Sequence, residues 1–571
     1  MSLFIPPQQL RTILIQENII KPERFDELFA ESERKGQNLI DLLISERVAD
    51  AQYLSTLIAN TFGVEMANLG ARQIDESILK VLPEQLARQR QVIIFGREAD
   101  GTYQAAMADP GNLETIEFLQ QRLKARVKPY LAIADDLNRG FSVYGFRSTE
   151  DFKAIIEANI QESLVSQAKS SEEAAADLPI VAIVDNVLSY ALALRASDIH
   201  IETLEDTMLI RYRVDGILME IARVPKAVHG AIVARVKILA GLKLDEHYKP
   251  QDGRFRYQVV NDTVDVRVSV MPTYYGEKVE MRLLESSQKP LSLAELGILD
   301  ADAKLVAEAI KKTFGMIIVC GPTGSGKTTT LYGLMNILNR PEVNICSVED
   351  PIEYNMRYVN QSQINPQAGI TFATGLRALL RQDPNIIMVG EIRDKETAGI
   401  SVQAALTGHL LLSSLHTNDA PTAIPRLFDL DIPPFLVSST LNVIIAQRLV
   451  RRICSSCITS FPAGADAQEA IREQLHLIGA SEAPSQIPTV SYRGTGCNAC
   501  GGTGYHGRLG IFEVIAINDA LRRIIVEPQF DLEALRRAAR ANGTQMMFED
   551  GIAKVQLGIT TIEEVMRVIK E

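Results

Sequence analysis

The chain contains 571 residues, of which 46% are hydrophobic and 23% charged, the proportions of an ordinary globular protein divided into several domains. Its net charge of -12 argues against a nucleic-acid-binding protein, because no overall positive field attracts phosphates. The N-terminal residues lack the features of a signal peptide, and no apolar run approaches the ~20 residues that span a bilayer, so we expect a cytoplasmic protein.

Residues 1–145 are expected to form a first domain that is mainly helical, with short strands later. Two successive units repeat apolar residues at helical spacing, which predicts a small bundle, and we interpret this domain as a docking domain. A β-hairpin with its turn at Asp100-Gly101 should follow. The small, polar and acidic residues of 146–178 predict a linker.

Residues 179–290 predict a second domain, in which a helix is followed by segments of alternating polarity. This pattern is typical of a small antiparallel sheet carrying helices. Residues 291–571 instead combine apolar runs without alternation, a glycine-rich loop and helices. Such strands are buried on both faces, so we expect a mostly parallel α/β sheet, followed by helices at the C-terminal end.

The segment GPTGSGKT at 321–328 fits the phosphate-loop pattern GxxxxGK[ST], between an apolar strand and a helix. Its glycines let backbone amides curl around phosphates, the ammonium of Lys327 faces the β- and γ-phosphates, and the hydroxyl of Thr328 reaches Mg²⁺. The sequence therefore predicts a Mg²⁺-dependent ATPase. The residues expected to bind ATP are Gly321, Pro322, Thr323, Gly324, Ser325, Gly326, Lys327, Thr328 and Thr329.

Three polar residues lie at or after the ends of later apolar strands. Glu353 follows the strand after the phosphate-loop helix, Glu391 follows the strand IIMV, and His416 follows the strand LLLSSL. Because the carboxyl ends of parallel strands face the ligand crevice, these side chains are candidates for holding the metal, orienting water and sensing the γ-phosphate. A solvated strand end is the alternative for each acid, and His409 is expected to be structural.

Four of the six cysteines form two CxxC pairs, Cys454/Cys457 and Cys497/Cys500, with 39 residues between them. This pattern favours a structural Zn²⁺ site with four thiolate ligands in a reducing compartment. Two reduced pairs without metal, or a redox-labile lobe, are the alternatives.

In combination, the phosphate loop, VEDPIEY at 348–354, IIMVGEIRD at 386–394, TGHLLLSSLHTND at 407–419 and the cysteine pairs resemble the secretion ATPase superfamily of the GspE/PulE type. That superfamily powers type II secretion and type IV pilus assembly. The resemblance extends over about residues 178–571 and includes RASDIHIE, RYRVDG and PQDGRF. It implies a RecA-like P-loop NTPase core at 291–571, a PAS-like α+β domain at 179–290, a helical N-terminal domain and a zinc-binding insert at 454–500.

The resemblance also implies roles for individual residues. Glu353 would position or deprotonate water, Glu391 would organise Mg²⁺ together with Thr328, and His416 would couple the γ-phosphate to conformation. Arginines from the 179–290 domain would bring positive charge to the phosphates, with surface ion pairs as the alternative. These arginines are Arg267 and Arg282, with Arg211 and Arg213 as further candidates.

Members of the superfamily form hexameric rings that act on a polytopic inner-membrane platform protein. The cysteine insert and the long N-terminal region favour the pilus-extension branch, in which cytoplasmic pilus assembly proteins would dock on residues 1–145. A type II secretion ATPase is the main alternative, and a nucleotide-gated scaffold or a nucleic-acid motor are further ones. No nucleic-acid partner is expected.

The duplicated N-terminal pattern resembles a domain that binds cyclic di-GMP in some relatives. That motif begins Arg-Leu-Gly and has a central glycine, whereas this chain has Arg11-Thr12-Ile13 and, at the glycine position, Asn18. The second copy begins at 36–38 with Gly-Gln-Asn. These departures favour partner docking as the main role and leave cyclic di-GMP binding as the alternative.

Overall fold

The computed structural model describes residues 5–35, 38–46, 48–49, 51–69, 74, 76–133, 136–137, 140–141, 152, 155–161, 178–259, 262–285, 290–478, 487–497 and 500–570. The chain divides into two compact units, residues 1–288 and 289–571. Within the described residues, no helix is both long and apolar enough to cross a bilayer.

The first part of unit 1 is a group of short helices followed by a mixed sheet. The helices are α1 (Pro7–Gln16), α2 (Pro22–Lys35), α3 (Leu39–Ser45), α4 (Ala51–Thr61), α5 (Glu76–Leu79), α6 (Glu84–Gln89) and α7 (Leu113–Leu123). The strands are β1 (Glu65–Met66), β2 (Val92–Arg97), β3 (Tyr103–Met107) and β4 (Val127–Leu131), in the order β1-β4-β3-β2. The predicted hairpin is confirmed as β2-β3, with Gly101 at φ 89° in its turn.

The second part of unit 1 is an antiparallel sheet with two helices, as predicted. The helices are α8 (Leu178–Ala193) and α9 (His229–Ala240). The strands are β5 (Asp198–Thr203), β6 (Thr207–Val214), β7 (Ile217–Pro225), β8 (Gln251–Val259), β9 (Asp262–Thr273) and β10 (Gly276–Glu285), in the order β7-β6-β5-β10-β9-β8.

Part of the segment predicted as a linker packs into this core. Phe152, Ile156 and Ile160 are buried in the same apolar cluster as α8, and the ring of Phe152 stacks on Tyr190 with centroids 4.5 Å apart. The spacing of four residues places the three side chains on one helical face, which is why they can pack together. Most of the remaining segment 146–178 lies outside the described residues.

Unit 2 is the predicted α/β sheet, with strands β11–β16 parallel and one antiparallel edge strand. Its sheet strands are β11 (Gly315–Cys320), β12 (Ile345–Glu349), β13 (Val359–Gln363), β14 (Ile386–Val389), β15 (Leu410–Leu415), β16 (Leu441–Ile453) and β19 (Tyr505–Ala516). Their order is β13-β12-β14-β15-β11-β16-β19, and β17 (Ile458–Pro462) pairs with β18 (Val490–Gly494) in a separate two-stranded antiparallel sheet.

Helices pack on both faces of this sheet, and separate apolar clusters fill the two sides. The helices that precede the cysteine insert are α10 (Leu293–Leu296), α11 (Asp300–Ala309), α12 (Lys327–Leu338), α13 (Phe372–Leu379), α14 (Lys395–Leu406), α15 (Ala423–Asp429) and α16 (Pro434–Thr440). The later ones are α17 (Ala465–Leu477), α18 (Asp519–Ile525), α19 (Leu532–Ala541), α20 (Met547–Gln556) and α21 (Ile562–Lys570), so the predicted C-terminal helices are confirmed.

Candidate nucleotide site and metal centre

The phosphate loop connects the fully buried strand β11 to the N-terminus of α12. Gly321, Gly324 and Gly326 have φ values of 151°, 80° and 89°, a region that side chains with a Cβ rarely adopt. A Cβ on Gly321 would lie 2.7 Å from the backbone oxygen of Gln447, so this glycine also allows a close approach of two chains. The loop therefore has the backbone shape that phosphate binding requires.

The Lys327 side chain bends back over the loop. Its Nζ donates hydrogen bonds to the backbone oxygens of Gly321 at 2.8 Å and Pro322 at 2.9 Å. Burial lowers the pKa of the Lys327 ammonium, while the Glu391 carboxylate acts in the opposite direction. The ammonium thus lies at the mouth of the loop, near the acid that follows β14.

A buried hydrogen-bond network holds the segment that carries Glu353. The Tyr332 hydroxyl of α12 donates to Glu349 and accepts from the Glu353 backbone N–H at 3.2 Å. Ser347 Oγ also donates to Glu349, and Gln361 Nε2 donates to it at 3.1 Å. Burial raises the pKa of the Glu349 carboxyl, and the donors that surround it act against this rise. The network fixes the backbone at position 353 relative to α12.

Glu391 and His416 meet at the carboxyl edge of the sheet. His416 Nε2 lies 3.0 Å from Glu391 Oε2, and Arg393 forms an ion pair with the other carboxylate oxygen at 2.5 Å. The Glu391 side chain is 12% exposed and that of His416 is 44% exposed, so the histidine lies on the solvent side of the pair. His409 Nδ1 lies 3.0 Å from the backbone oxygen of Ala404, so this histidine has a structural role.

The candidate arginines of unit 1 lie on one face of the antiparallel sheet, and three of them make ion pairs there. Arg282 and Arg213 lie 2.9 and 3.6 Å from the two oxygens of Asp198. Arg211 lies 2.8 Å from Glu202. Arg267 is the cross-strand partner of Arg282 in the β9-β10 register. These four residues thus form a positively charged band interrupted by acids.

The four CxxC cysteines converge at the end of β16, where the Sγ atoms all lie within 4.8 Å of one another. The Sγ–Sγ distances are 3.7 Å for Cys454–Cys497, 3.9 Å for Cys457–Cys500 and 3.8 Å for Cys497–Cys500. A tetrahedral Zn²⁺ with Zn–S bonds of ~2.3 Å separates its thiolates by about 3.8 Å, so this donor set fits zinc.

Backbone geometry supports the second cysteine pair. The N–H groups of Cys497 and Gly504 both donate to Cys500 Sγ at 3.2 Å. A Cβ on Gly494 would lie 2.0 Å from the backbone oxygen of Gly504, so the two chains can approach this closely only with glycine at that position.

Sequence reasoning missed several residues that shape the nucleotide site. Gln447 on β16 hydrogen-bonds to the phosphate loop, and Tyr332, Gln361 and Ser347 surround Glu349. Gln447 lies in an apolar run, and this interruption of the run by an amide was the one signal available. The other three carry no motif, since their partners become neighbours only in the fold.

Two families match the chain. Residues 173–567 match the family described as Type II/IV secretion system protein, and residues 62–145 match the MshEN domain. The second match begins after the duplicated helical pattern.

Curated relatives match over almost the whole chain. The type IV pilus assembly ATPase PilB of Myxococcus xanthus is 38% identical and that of Pseudomonas aeruginosa is 36% identical, each over 98% of both chains. The type II secretion system ATPase E of Vibrio cholerae is 46% identical over 69% of this chain and 76% of that protein. With these relatives and a family match over more than half its length, the chain belongs to the type II/IV secretion system ATPase family.

Proposed function

We propose that this protein is the ATP-hydrolysing motor of type IV pilus assembly, acting in pilin polymerisation. The observation that carries this proposal is a complete phosphate loop with acids at the same sheet edge, in a chain that aligns with pilus assembly ATPases over 98% of its length. The Vibrio cholerae secretion ATPase aligns with a smaller share of this chain, 69%.

The phosphate loop would bind the triphosphate of ATP through its backbone amides and the positive end of the α12 dipole. The ATP-binding set is 321–329, in which the Lys327 ammonium faces the β- and γ-phosphates. The Thr328 hydroxyl, with Glu391 acting through water, would hold Mg²⁺, which neutralises charge on the phosphates.

Glu353 would act on the attacking water. It would orient the water and accept its proton as the oxygen attacks the γ-phosphorus and the bond to the β-phosphate oxygen breaks, which leaves ADP and phosphate. The hydrogen bond from the Glu353 N–H to Tyr332 supports this role, because it limits the positions that the carboxylate can reach. His416 would report the presence of the γ-phosphate through its contact with Glu391.

Positive charge from unit 1 would complete the site in the proposed mechanism. Arg267 and Arg282 are the first candidates and Arg211 and Arg213 the next, since arginine stabilises the charge of a transferring phosphoryl group. Their ion pairs with Asp198 and Glu202 would exchange for phosphate contacts. Binding of ATP would then favour one arrangement of the domains, and hydrolysis would remove that preference.

Zn²⁺ would be held by Cys454, Cys457, Cys497 and Cys500 in a structural site. The Sγ–Sγ distances support this assignment, and four thiolates leave no coordination position for water.

The N-terminal region would dock cytoplasmic pilus assembly proteins, with cyclic di-GMP binding as the alternative. The MshEN match at 62–145 supports the alternative. Asn18, at the glycine position of the motif, has a φ of 55°, a left-handed conformation that glycine also adopts readily, which is compatible with this alternative. Asn38 caps α3, while Gly36 and Gln37 of the second copy lie outside the described residues.

The assembly would be a homohexamer at the cytoplasmic face of the inner membrane, where it acts on a polytopic platform protein. None of the six cysteines, all of which lie within the described residues, forms a disulfide, which supports a reducing compartment. The net charge of -12 supports a protein partner rather than nucleic acid.

A second candidate, the ATPase of a type II secretion system, is favoured by the 46% identity to the Vibrio cholerae protein. Deletion of the gene in its own host, with complementation by the wild type and by Lys327→Ala, distinguishes the two. We expect loss of surface pili in electron micrographs, restored by the wild type alone. Normal piliation with loss of protein secretion would establish the second candidate instead.

A further inference from the structure

We propose that Gln447 is a positioning residue of the phosphate loop, which holds the segment 325–330 in the shape that binds the phosphates of ATP and ADP. This inference rests on the proposed nucleotide site and adds to it a residue outside the phosphate-loop motif.

The Gln447 side chain forms hydrogen bonds to the residues on either side of Lys327 and Thr328. Its Nε2 donates to the Ser325 backbone oxygen at 2.6 Å, and its Oε1 accepts from Thr330 Oγ1 at 2.7 Å. Lys327 and Thr328 lie between these two anchoring points. Gln447 is 1% exposed, so water does not compete for either bond.

The backbone of the same residue also contacts the loop. A Cβ on Gly321 would lie 2.7 Å from the Gln447 backbone oxygen, and one on Gly326 would lie 3.0 Å from its Nε2. Gln447 thus touches the first glycine of the loop with its backbone and the last with its side chain. Its neighbour Ala446 pairs with Cys320, which ends β11 and precedes the loop.

These contacts limit the conformational freedom of the glycine-rich phosphate loop. Three glycines at positive φ give the loop many conformations in the absence of a tether, and binding would have to select one of them. A tether at both ends of 325–330 reduces that ordering cost before nucleotide arrives. Because the loop contacts the phosphates that ATP and ADP share, the tether should strengthen the binding of both nucleotides by a similar factor.

Asn442 supplies a matched control in the same strand. It is 6% exposed, its Nδ2 donates to the Phe314 backbone oxygen at 2.8 Å, and its Oδ1 accepts from Lys312 at 3.2 Å. Asn442 therefore also bridges two groups with a buried amide, but at the opposite end of β11 from the phosphate loop.

The test compares Gln447→Met with Asn442→Leu in the full-length protein, by equilibrium binding of fluorescent ADP and ATP analogues with Mg²⁺ and by thermal unfolding. Two lost hydrogen bonds at ~0.5–1.5 kcal/mol each correspond to about a tenfold weaker Kd for both nucleotides in Gln447→Met. Asn442→Leu should lower Tm to a similar extent and change neither Kd by more than about twofold.

Thr330→Val keeps the test decisive if Gln447→Met does not fold. It removes one of the two bonds and retains the amide, so we expect about a threefold weaker Kd. Unchanged nucleotide affinity in the folded Gln447 or Thr330 variants, with only a lower Tm, would overturn the inference. Failure of the wild-type protein to bind nucleotide would instead refute the proposed function.

Discussion

At the residue scale, the buried carboxylates of unit 2 differ in how their charge is compensated. Glu349 accepts hydrogen bonds from Ser347, Tyr332 and Gln361. Glu513 on β19 is 4% exposed, and its Oε1 has no hydrogen-bond partner among the described residues. Burial, with a further contribution from the nearby Asp419 carboxylate, raises the pKa of Glu513 to about 8, and Arg536 acts in the opposite direction.

Glu513 should therefore make the protein less stable as the pH rises. Between its ordinary pKa and about 8, the folded state holds a proton that the unfolded state has released, so the free energy of unfolding falls with increasing pH. Glu513→Gln should remove this loss, and its Tm advantage over the wild type should grow from pH 5 to pH 8. Thermal unfolding across this range, with the exposed Glu342→Gln as control, measures it. An advantage that does not change with pH would contradict the assignment.

Tyr332→Phe tests the network that holds Glu353. The substitution leaves the buried Glu349 carboxylate without one donor and the Glu353 N–H without its acceptor, so we expect a loss of stability of about 1–3 kcal/mol. ATP turnover should also fall, because the Glu353 carboxylate is less well held. Denaturant unfolding and steady-state kinetics measure both effects.

Tyr354→Phe is the matched control for this experiment. The two rings pack edge to face with centroids 4.6 Å apart, but the Tyr354 hydroxyl is buried without a hydrogen-bond partner among the described residues. Its removal should be neutral or stabilising. A Tyr332→Phe variant that is as stable and as active as Tyr354→Phe would show that ring packing, and not the hydroxyl of Tyr332, holds the segment.

The residues that sequence reasoning identified are those with a motif, whereas those it missed act through the fold. Lys327 and Thr328 are recognisable because phosphate binding fixes both residue type and spacing. Gln447 contacts Ser325 and Thr330 from more than 100 positions along the chain. No local pattern encodes such a contact, since it depends on β16 lying beside β11.

At the scale of elements, β16 connects the nucleotide site with the cysteine cluster. This strand contacts the phosphate loop at Gln447, ends at Ile453 and is followed by Cys454. It pairs with β19, which begins after Cys500, so the cysteine cluster lies at the end of the β16-β19 pair. A metal bound there would hold the ends of both strands together.

Cys457→Ser should therefore lower zinc content and stability together. We expect about one Zn²⁺ per wild-type chain and a large loss in the variant, because structural zinc binding contributes directly to folding free energy. Metal analysis and thermal unfolding of purified protein measure these quantities, with Ser455→Ala in the same CxxC pair as control. Wild-type protein that is purified without zinc and has the same Tm as Cys457→Ser would contradict a metal role for the cluster.

Element types were predicted well where one periodicity dominates. The strands β11, β12, β14 and β15 are buried along their whole length and mainly apolar, without polar alternation, so the sequence indicates them clearly. The packing of Phe152, Ile156 and Ile160 was not predicted, although apolar residues recur at helical spacing in FKAIIEANI, because the interpretation of this segment followed the small, polar and acidic run SQAKSSEEAAADLP.

At the scale of the whole molecule, two compact units carry separate parts of the proposed machinery. Unit 2 contains the phosphate loop, both candidate acids and the cysteine cluster, whereas unit 1 contains the arginine band. In the proposed mechanism, ATP hydrolysis would be productive only when both parts contribute, and this requirement would couple the chemistry to movement.

The central claim is that unit 2 hydrolyses ATP with Glu353 acting on water, and steady-state turnover by Glu353→Gln tests it most directly. Loss of general-base catalysis should lower kcat by about 10²–10⁴-fold, while the Kd for Mg²⁺–ATP stays close to that of the wild type. A Glu353→Gln protein that hydrolyses ATP as fast as the wild type would contradict the account.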